Sequence, residues 1–266
     1  MLTRAITGFF FIIVLVGSVF LGPIVFTAFF SIVGIGALYE FYSIVKSDEV
    51  KPNAVLGLLA AAVLATLSGL HCLGVIPFVK VWAFVPFIAL LFIAALYQKS
   101  RLPFHDIGFS LLGITYACVP FLFFVGLGFI KGSYNPYIPL GFLIMLWAND
   151  TGAYLSGRSF GKHKLFERIS PNKTWEGFIG GILLAVVIAL NLEHYFGALS
   201  KWEWVTMAVI IGVFGTLGDL VESMLKRSLG VKDSGNILPG HGGLLDRFDG
   251  LLMAAPLVFF FLLMLS

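Results

Sequence analysis

The sequence predicts an all-α, polytopic integral membrane protein of about nine transmembrane helices with a cytoplasmic N-terminus. Composition is the first observation behind this: 59% of the 266 residues are hydrophobic and the mean hydropathy is +1.00, which excludes an ordinary soluble core. The second is that apolar runs of spanning length recur near residues 5–21, 24–45, 54–71, 75–97, 107–130, 137–156, 175–192, 203–222 and 249–265. The third is the placement of the basic residues. Numbering the loops alternately puts Arg4, Lys46, Lys51, Lys99, Arg101, Arg158, Lys162, Lys164, Arg168, Lys173, Lys226, Arg227, Lys232 and Arg247 on one side. Only Lys80, Lys131 and Lys201 fall on the other. By the positive-inside rule the rich side is cytoplasmic.

The first run ends in Gly22-Pro23 without a small-residue cleavage pattern, so it reads as a retained span and not a removed signal peptide. Pro77, Pro86, Pro120 and Pro256 are expected to kink their helices, which neighbouring helices can tolerate. Cys72 and Cys118 lie far apart in apolar stretches and read as packing residues. Residues 1–138 form a scaffold of spans with short connectors. Glu40, in GALYEFYS, breaks the pattern near the end of the second span, and its position favours an interfacial carboxylate with its head in water.

Residues 139–266 differ, because they carry two polar segments, 147–176 and 223–249. The first begins with Asp150, expected at a helix end, and closes with Asn172-Lys173-Thr174-Trp175-Glu176, where Pro171 and Thr174 are helix-start signals. Free N–H groups at such a helix start, with the charge of Lys173, favour an anion. A plain capped helix with interfacial Lys and Trp fits the composition equally well, and both readings stand on this segment alone. GRSFGKHK is not a phosphate loop, since three residues separate its glycines and His replaces the required Ser or Thr.

In the second segment Asp219, Glu222, Ser223, Lys226 and Arg227 recur at helical spacing and share one face. Gly230 ends that helix. Lys232-Asp233 then enters a loop closed by Pro239-Gly240-His241-Gly242-Gly243, where glycines let the backbone approach a ligand and offer N–H groups to phosphate oxygens. His241, flanked by glycines, reads as a phosphate contact. The next helix carries Asp246 and Asp249 one turn apart with Arg247 between them. Aspartates converging from two helices suit magnesium, which takes one or two carboxylates and leaves its other sites to water and phosphate. An ion-pair cluster that pins the loop is the alternative, and it leaves the loop glycines unexplained.

Ser223-Met224-Leu225-Lys226-Arg227, Lys232-Asp233, Leu238-Pro239, His241-Gly242-Gly243 and Asp246-Arg247-Phe248-Asp249 together resemble the signature of the phosphatidate cytidylyltransferases of bacterial type. Asp150, Gly157-Arg158 and Ser170 to Gly177 are similar to that family's second shared region. The resemblance implies transfer of a cytidylyl group from CTP to phosphatidic acid, giving CDP-diacylglycerol and pyrophosphate. It further implies a magnesium ion, allows a second cation (K+), and implies a homodimer in the bacterial inner membrane with the site near the cytoplasmic face and no nucleic acid as partner.

On that reading a lipid phosphate oxygen attacks the α-phosphorus of CTP in line, with magnesium on Asp219 and Asp246. Asp249 serves a second cation or the outer shell, and Ser223 is a hydroxyl ligand. Lys173, Lys226, Arg227, Lys232 and Arg247 hold the triphosphate and lipid head group, while Asp150 and Glu176 orient those cations. A transferase using a CDP-alcohol or a polyprenyl phosphate is the main alternative within enzymes, and a secondary transporter for an anionic solute is the alternative from another class.

Overall fold

The computed structural model describes residues 2–235 and 242–265, and of residues 2–7 the helical backbone alone. The helices are α1 (Leu2–Phe20), α2 (Pro23–Val45), α3 (Ala54–Cys72), α4 (Val85–Tyr97), α5 (Pro103–Gly113), α6 (Val119–Leu127), α7 (Tyr137–Phe160), α8 (Trp175–Phe196), α9 (Lys201–Ser228) and α10 (Leu245–Leu263). Every predicted apolar run is helical. Six helical segments are long and apolar enough to cross a membrane: Pro23–Val45, Ala54–Cys72, Phe78–Tyr97, Pro103–Leu127, Trp175–Phe196 and Lys201–Ser228. The chain is therefore an all-α membrane protein, with one addition that hydropathy does not show. Lys164–Phe166 (β1) and Ser170–Thr174 (β2) pair as an antiparallel hairpin ahead of α8.

The prolines act differently from one another. Pro86 sits in the first turn of α4, where its missing N–H is not needed, so it starts that helix instead of kinking it. Pro77 precedes the 3-10 turn Phe78–Phe84. Pro120 follows a widened π turn, Ile114–Cys118, that joins α5 to α6. A proline ring excludes the normal bond to the carbonyl four residues back, and the wider turn accommodates that loss. Pro256 lies inside α10.

The chain forms two compact units, residues 1–125 with 231–247 and residues 126–230 with 248–266. This division by packing differs from the division by polarity at residue 138, because segment 231–247 belongs with the N-terminal helices.

The core of the first unit is aromatic. Phe26, Phe30 and Phe124 are fully buried, with ring centroids 4.6–5.9 Å apart. Such offset and tilted pairs add to their area burial. Tyr42 crosses from α2 to α5, where its hydroxyl donates to the Ser110 carbonyl at 2.6 Å. Gly57 and Gly113 leave room for its ring, since a Cβ at Gly113 would lie 2.7 Å from Tyr42 Cε1.

The second unit rests on small residues. A Cβ at Gly152 of α7 would lie 2.8 Å from the Gly180 carbonyl oxygen and 2.9 Å from Leu184 Cβ of α8. Gly177 is equally close to the Ala153 carbonyl. Close backbone approach of this kind is how helices associate where lipid supplies no hydrophobic drive. Asn149 is buried beneath the contact, donating to Thr216 Oγ1 at 3.4 Å, and Thr216 in turn donates to the Gly212 carbonyl of α9.

Gly152→Val should destabilise the detergent-solubilised protein by about 1–3 kcal/mol, as overpacking does. Thermal melting followed by circular dichroism is the check, with Gly17→Ala, where nothing lies within 4 Å of the added Cβ, as a near-neutral control.

Candidate active site

The predicted site residues fall in both units, and each group is built locally. In the second unit α9 runs unbroken through Asp219, Glu222, Ser223, Lys226 and Arg227. Its start is fixed by a capping box, Ser200 Oγ accepting from Glu203 N and Glu203 accepting from Ser200 N. Its end is fixed by Leu229 and by Gly230 at φ +68°. The helical spacing has the predicted effect. Ser223 Oγ donates to Asp219 Oδ1 at 3.2 Å, and Lys226 Nζ lies 2.6 Å from Glu222 Oε2.

Two further elements converge on this face. Lys173, from β2, places its Nζ 2.5 Å from Asp219 Oδ2. The adjacent Thr174 caps α8 by accepting from Gly177 N at 3.1 Å, so the helix-start signal at Thr174 is the one used, while Pro171 lies in the strand. Gly215 and Gly218 of α9 admit α10 at close range: a Cβ at Gly218 would lie 2.5 Å from the Asp249 carbonyl oxygen. This brings the Asp249 carboxylate within electrostatic reach of Asp219, Glu222 and Asp150. Four carboxylates from three helices thus share one region of the second unit, with the ammonium groups of Lys173 and Lys226 paired into it. Among the described residues, no three His, Cys, Asp or Glu side chains stand close enough together to hold a metal ion by themselves.

Several expectations change. Asp150 is not at a helix end, because α7 continues through it to Phe160. Its neighbours in charge are Asp219 and Lys173. Glu176 is engaged with the turn before the hairpin. It accepts from Lys162 N at 3.1 Å, from His163 N at 3.2 Å and meets His163 Nδ1 at 2.6 Å, so it closes the turn leading into the hairpin. Asn172 and Arg227 are exposed.

In the first unit, Ser234 and residues 243–246 are organised around two carboxylates. Asp246 Oδ2 accepts from Ser234 N, Ser234 Oγ and Gly243 N, each at 2.9 Å. Glu40 Oε2 accepts from Leu245 N at 3.0 Å and from Ser234 Oγ at 3.4 Å. Glu40 is only 3% exposed, which overturns the expectation of a head in water. It lies beneath the loop, and a Cβ at Gly235 would come within 2.6 Å of its Oε1. The expected use of the glycines changes as well. The Gly243 amide serves Asp246 and is not offered outward, while Gly242 is required for its φ of +82°. Lys232, Asp233 and Arg247 are exposed. His241 lies outside the described residues.

Sequence reasoning missed Ser234 and the structural part of Glu40. Ser234 gave no signal among the polar residues around it. Glu40 did, as a lone acid in an apolar run.

A model of the cytidylyltransferase family matches residues 2–265. The chain is 38% identical over 262 residues to the phosphatidate cytidylyltransferase of Staphylococcus aureus (strain COL), covering 97% of each chain. It is 36% identical to that of Staphylococcus epidermidis (strain ATCC 12228), again over 97% of each. To that of Staphylococcus haemolyticus it is 44% identical over 162 residues, 60% of this chain and 61% of the relative.

Glu40→Ala leaves the Leu245 amide without its buried acceptor, a loss of about 1–3 kcal/mol. Hydrogen exchange at Leu245 should accelerate by about 5- to 100-fold while amides in the middle of α8 are unchanged. Unaltered exchange at Leu245 would refute the role given to Glu40.

Proposed function

The chain belongs to the cytidylyltransferase family, and from that premise we propose that it is a CTP-dependent nucleotidyltransferase that joins the cytidylyl group of CTP to phosphatidic acid, releasing pyrophosphate and forming CDP-diacylglycerol. The observation that carries the chemistry is the Lys173–Asp219 pair set among the carboxylates of the second unit. An ammonium group and an excess of carboxylates side by side can meet both parts of a metal-nucleotide, the phosphate anion and its cation.

The residues present fit a hard divalent cation. Their oxygens are the correct donors, and the charge around Asp249 comes from three acids, Asp219, Glu222 and Asp150. Asp219 and Asp249 would hold the cation here, with Asp246 assigned by the sequence signature. When bound, the ion neutralises phosphate charge and orients the reacting phosphoryl group. A second cation, K+, is a further proposal that rests on the resemblance.

The chain's own residues supply binding and alignment. Lys173 is positioned by β2 and by its pair with Asp219, where its ammonium group would meet a triphosphate oxygen. Ser223 holds Asp219 in one rotamer through its hydroxyl. Lys226, Arg227, Lys232 and Arg247 supply the remaining positive charge for the triphosphate and the lipid phosphate. Phosphatidic acid is already an anionic nucleophile near neutral pH, so alignment for in-line attack takes precedence over a general base.

Nine spans, a cytoplasmic N-terminus and a site at the cytoplasmic face of a bacterial inner membrane complete the proposal. Nine apolar runs that are all helical, and the one-sided basic residues, support it. The homodimer is proposed from the family resemblance.

Asp219→Asn should lower CTP-dependent formation of CDP-lipid by the purified protein by about 100-fold or more, because it removes a charge that the cation needs. Near-normal turnover would sink the assignment. Lys173→Ala should raise KM for CTP by about tenfold, with a smaller effect on the KM for phosphatidic acid, the loss of one charge-assisted contact. Steady-state kinetics with each substrate varied in turn decides between them.

A further inference from the structure

Glu40 lies on α2, outside both polar segments, and the catalytic reading above gives it no part. Its contacts nevertheless lead to one residue of that reading, Asp246. Glu40 Oε2 accepts from Leu245 N at 3.0 Å and lies 3.4 Å from Ser234 Oγ. The backbone at Gly235 and Gly243 rests directly on the same carboxylate. An added Cβ would lie 2.6 Å from Oε1 at Gly235 and 2.5 Å from Oε2 at Gly243.

Asp246 is held by residues from this same group. Its Oδ2 accepts three hydrogen bonds of 2.9 Å, from Ser234 N, Ser234 Oγ and Gly243 N. Two residues thus supply all three bonds, and both are seated on Glu40. Glu40 also fixes the amide of Leu245, the chain neighbour of Asp246. The Ser234 hydroxyl stands between the two carboxylates, closer to Asp246. Removal of Glu40 takes a common support from Ser234, Gly243 and Leu245, and the frame around Asp246 Oδ2 loosens as a whole.

Anchoring one oxygen fixes the orientation of the whole carboxylate. A hard divalent cation such as magnesium demands near-ideal geometry of its ligands, and the groups that orient a ligand set its affinity. We propose that Glu40 is a positioning residue for Asp246: from α2 it seats Ser234, Gly243 and Leu245 so that the Asp246 carboxylate is held in the orientation a divalent cation needs. This rests on the assignment of Asp246 to the cation under the proposed function, and it makes a helix of the N-terminal half part of what the cation depends on.

The probe is Mn2+ added alone to the purified full chain in detergent. Binding is read from loss of the free-ion electron paramagnetic resonance signal, counting only the Mn2+ that Mg2+ displaces. Asp246→Asn and Glu40→Ala should each weaken binding by about tenfold. Glu40→Gln, which keeps the side-chain length and an acceptor oxygen for Leu245 N, should stay within about twofold of the unaltered protein. Added to Asp246→Asn, Glu40→Ala should have no further effect, because a residue that acts through Asp246 has nothing to position once that ligand is gone. In turnover, Glu40→Ala should raise the Mg2+ concentration for half-maximal CDP-lipid formation by about tenfold and leave KM for phosphatidic acid unchanged.

Unchanged Mn2+ affinity in Glu40→Ala overturns the inference, as does a loss that adds to that of Asp246→Asn or that Glu40→Gln does not restore. Should Glu40→Ala fail to fold, Glu40→Asp, which withdraws the carboxylate by one methylene, takes its place with the same expected loss and the same overturning results. Mn2+ affinity unchanged in Asp246→Asn but reduced in Glu40→Ala would refute the assignment of Asp246 to the cation, and this inference with it. The expected Mn2+ results in a protein that forms no CDP-lipid would refute the proposed reaction and uphold the positioning role.

Discussion

Carboxylates set into apolar helices have to be matched by counter-charges or donors, because an unmatched charge there costs several kcal/mol. Much of this molecule is arranged to meet that requirement. Glu40 is met by the Leu245 amide and the Ser234 hydroxyl, Asp246 by Ser234 and Gly243, and Asp219 by Lys173 and Ser223. Each match ties a distant stretch of chain to a helix. Ser234 and the start of α10 are held to α2 by Glu40, and the hairpin is held to α9 by Asp219. Carboxylates in the helices thus fix non-helical segments of the chain.

Glycine makes that arrangement possible in the second unit. Without lipid-excluded hydrophobic drive, helices gain from close packing, and Gly152, Gly177, Gly180 and Gly181 let α7 and α8 approach backbone to backbone. Gly215, Gly218 and Gly250 do the same for α9 and α10. The second approach has a chemical consequence, since it sets Asp219 and Asp249 among other carboxylates. Their mutual repulsion would be relieved by the cation proposed to bind there. Binding energy and site geometry are coupled through charge.

The two units divide the labour differently from the sequence order. Aromatic packing around Phe26, Phe30 and Phe124 fills the interior of the first unit, to which Ser234 and Leu245 are fastened by Glu40. The hairpin and α7 to α9 form the second. The charged signature therefore draws on both units, and its residues do different work. Gly243, Glu176 and part of Asp246 are spent on holding backbone in place, while Lys173 pairs with Asp219 and Asp249 lies among the neighbouring carboxylates.

Much of the fold was legible in the sequence because the bilayer imposes length and apolarity on each span. The nine helical runs, the start of α8 at Thr174, the shared face of α9 and its end at Gly230 all follow from local rules of periodicity and capping. The carboxylate cluster was half legible, since Asp219, Glu222 and Ser223 stand at helical spacing, whereas the α10 partner Asp249 reaches them only through glycine contacts. Other features needed the folded chain. The hairpin between α7 and α8 has strands too short for an alternation signal, and Asp150 lies inside a helix because polar residues there continue to pack on α8. The partners of Glu40 are more than 190 residues away in sequence. The sequence by itself determined which segments form apolar helices and which charges lie along and beside them. Tertiary structure decided which charges meet, because a buried carboxylate selects its partner by distance in space, and sequence spacing encodes that distance only within one helix.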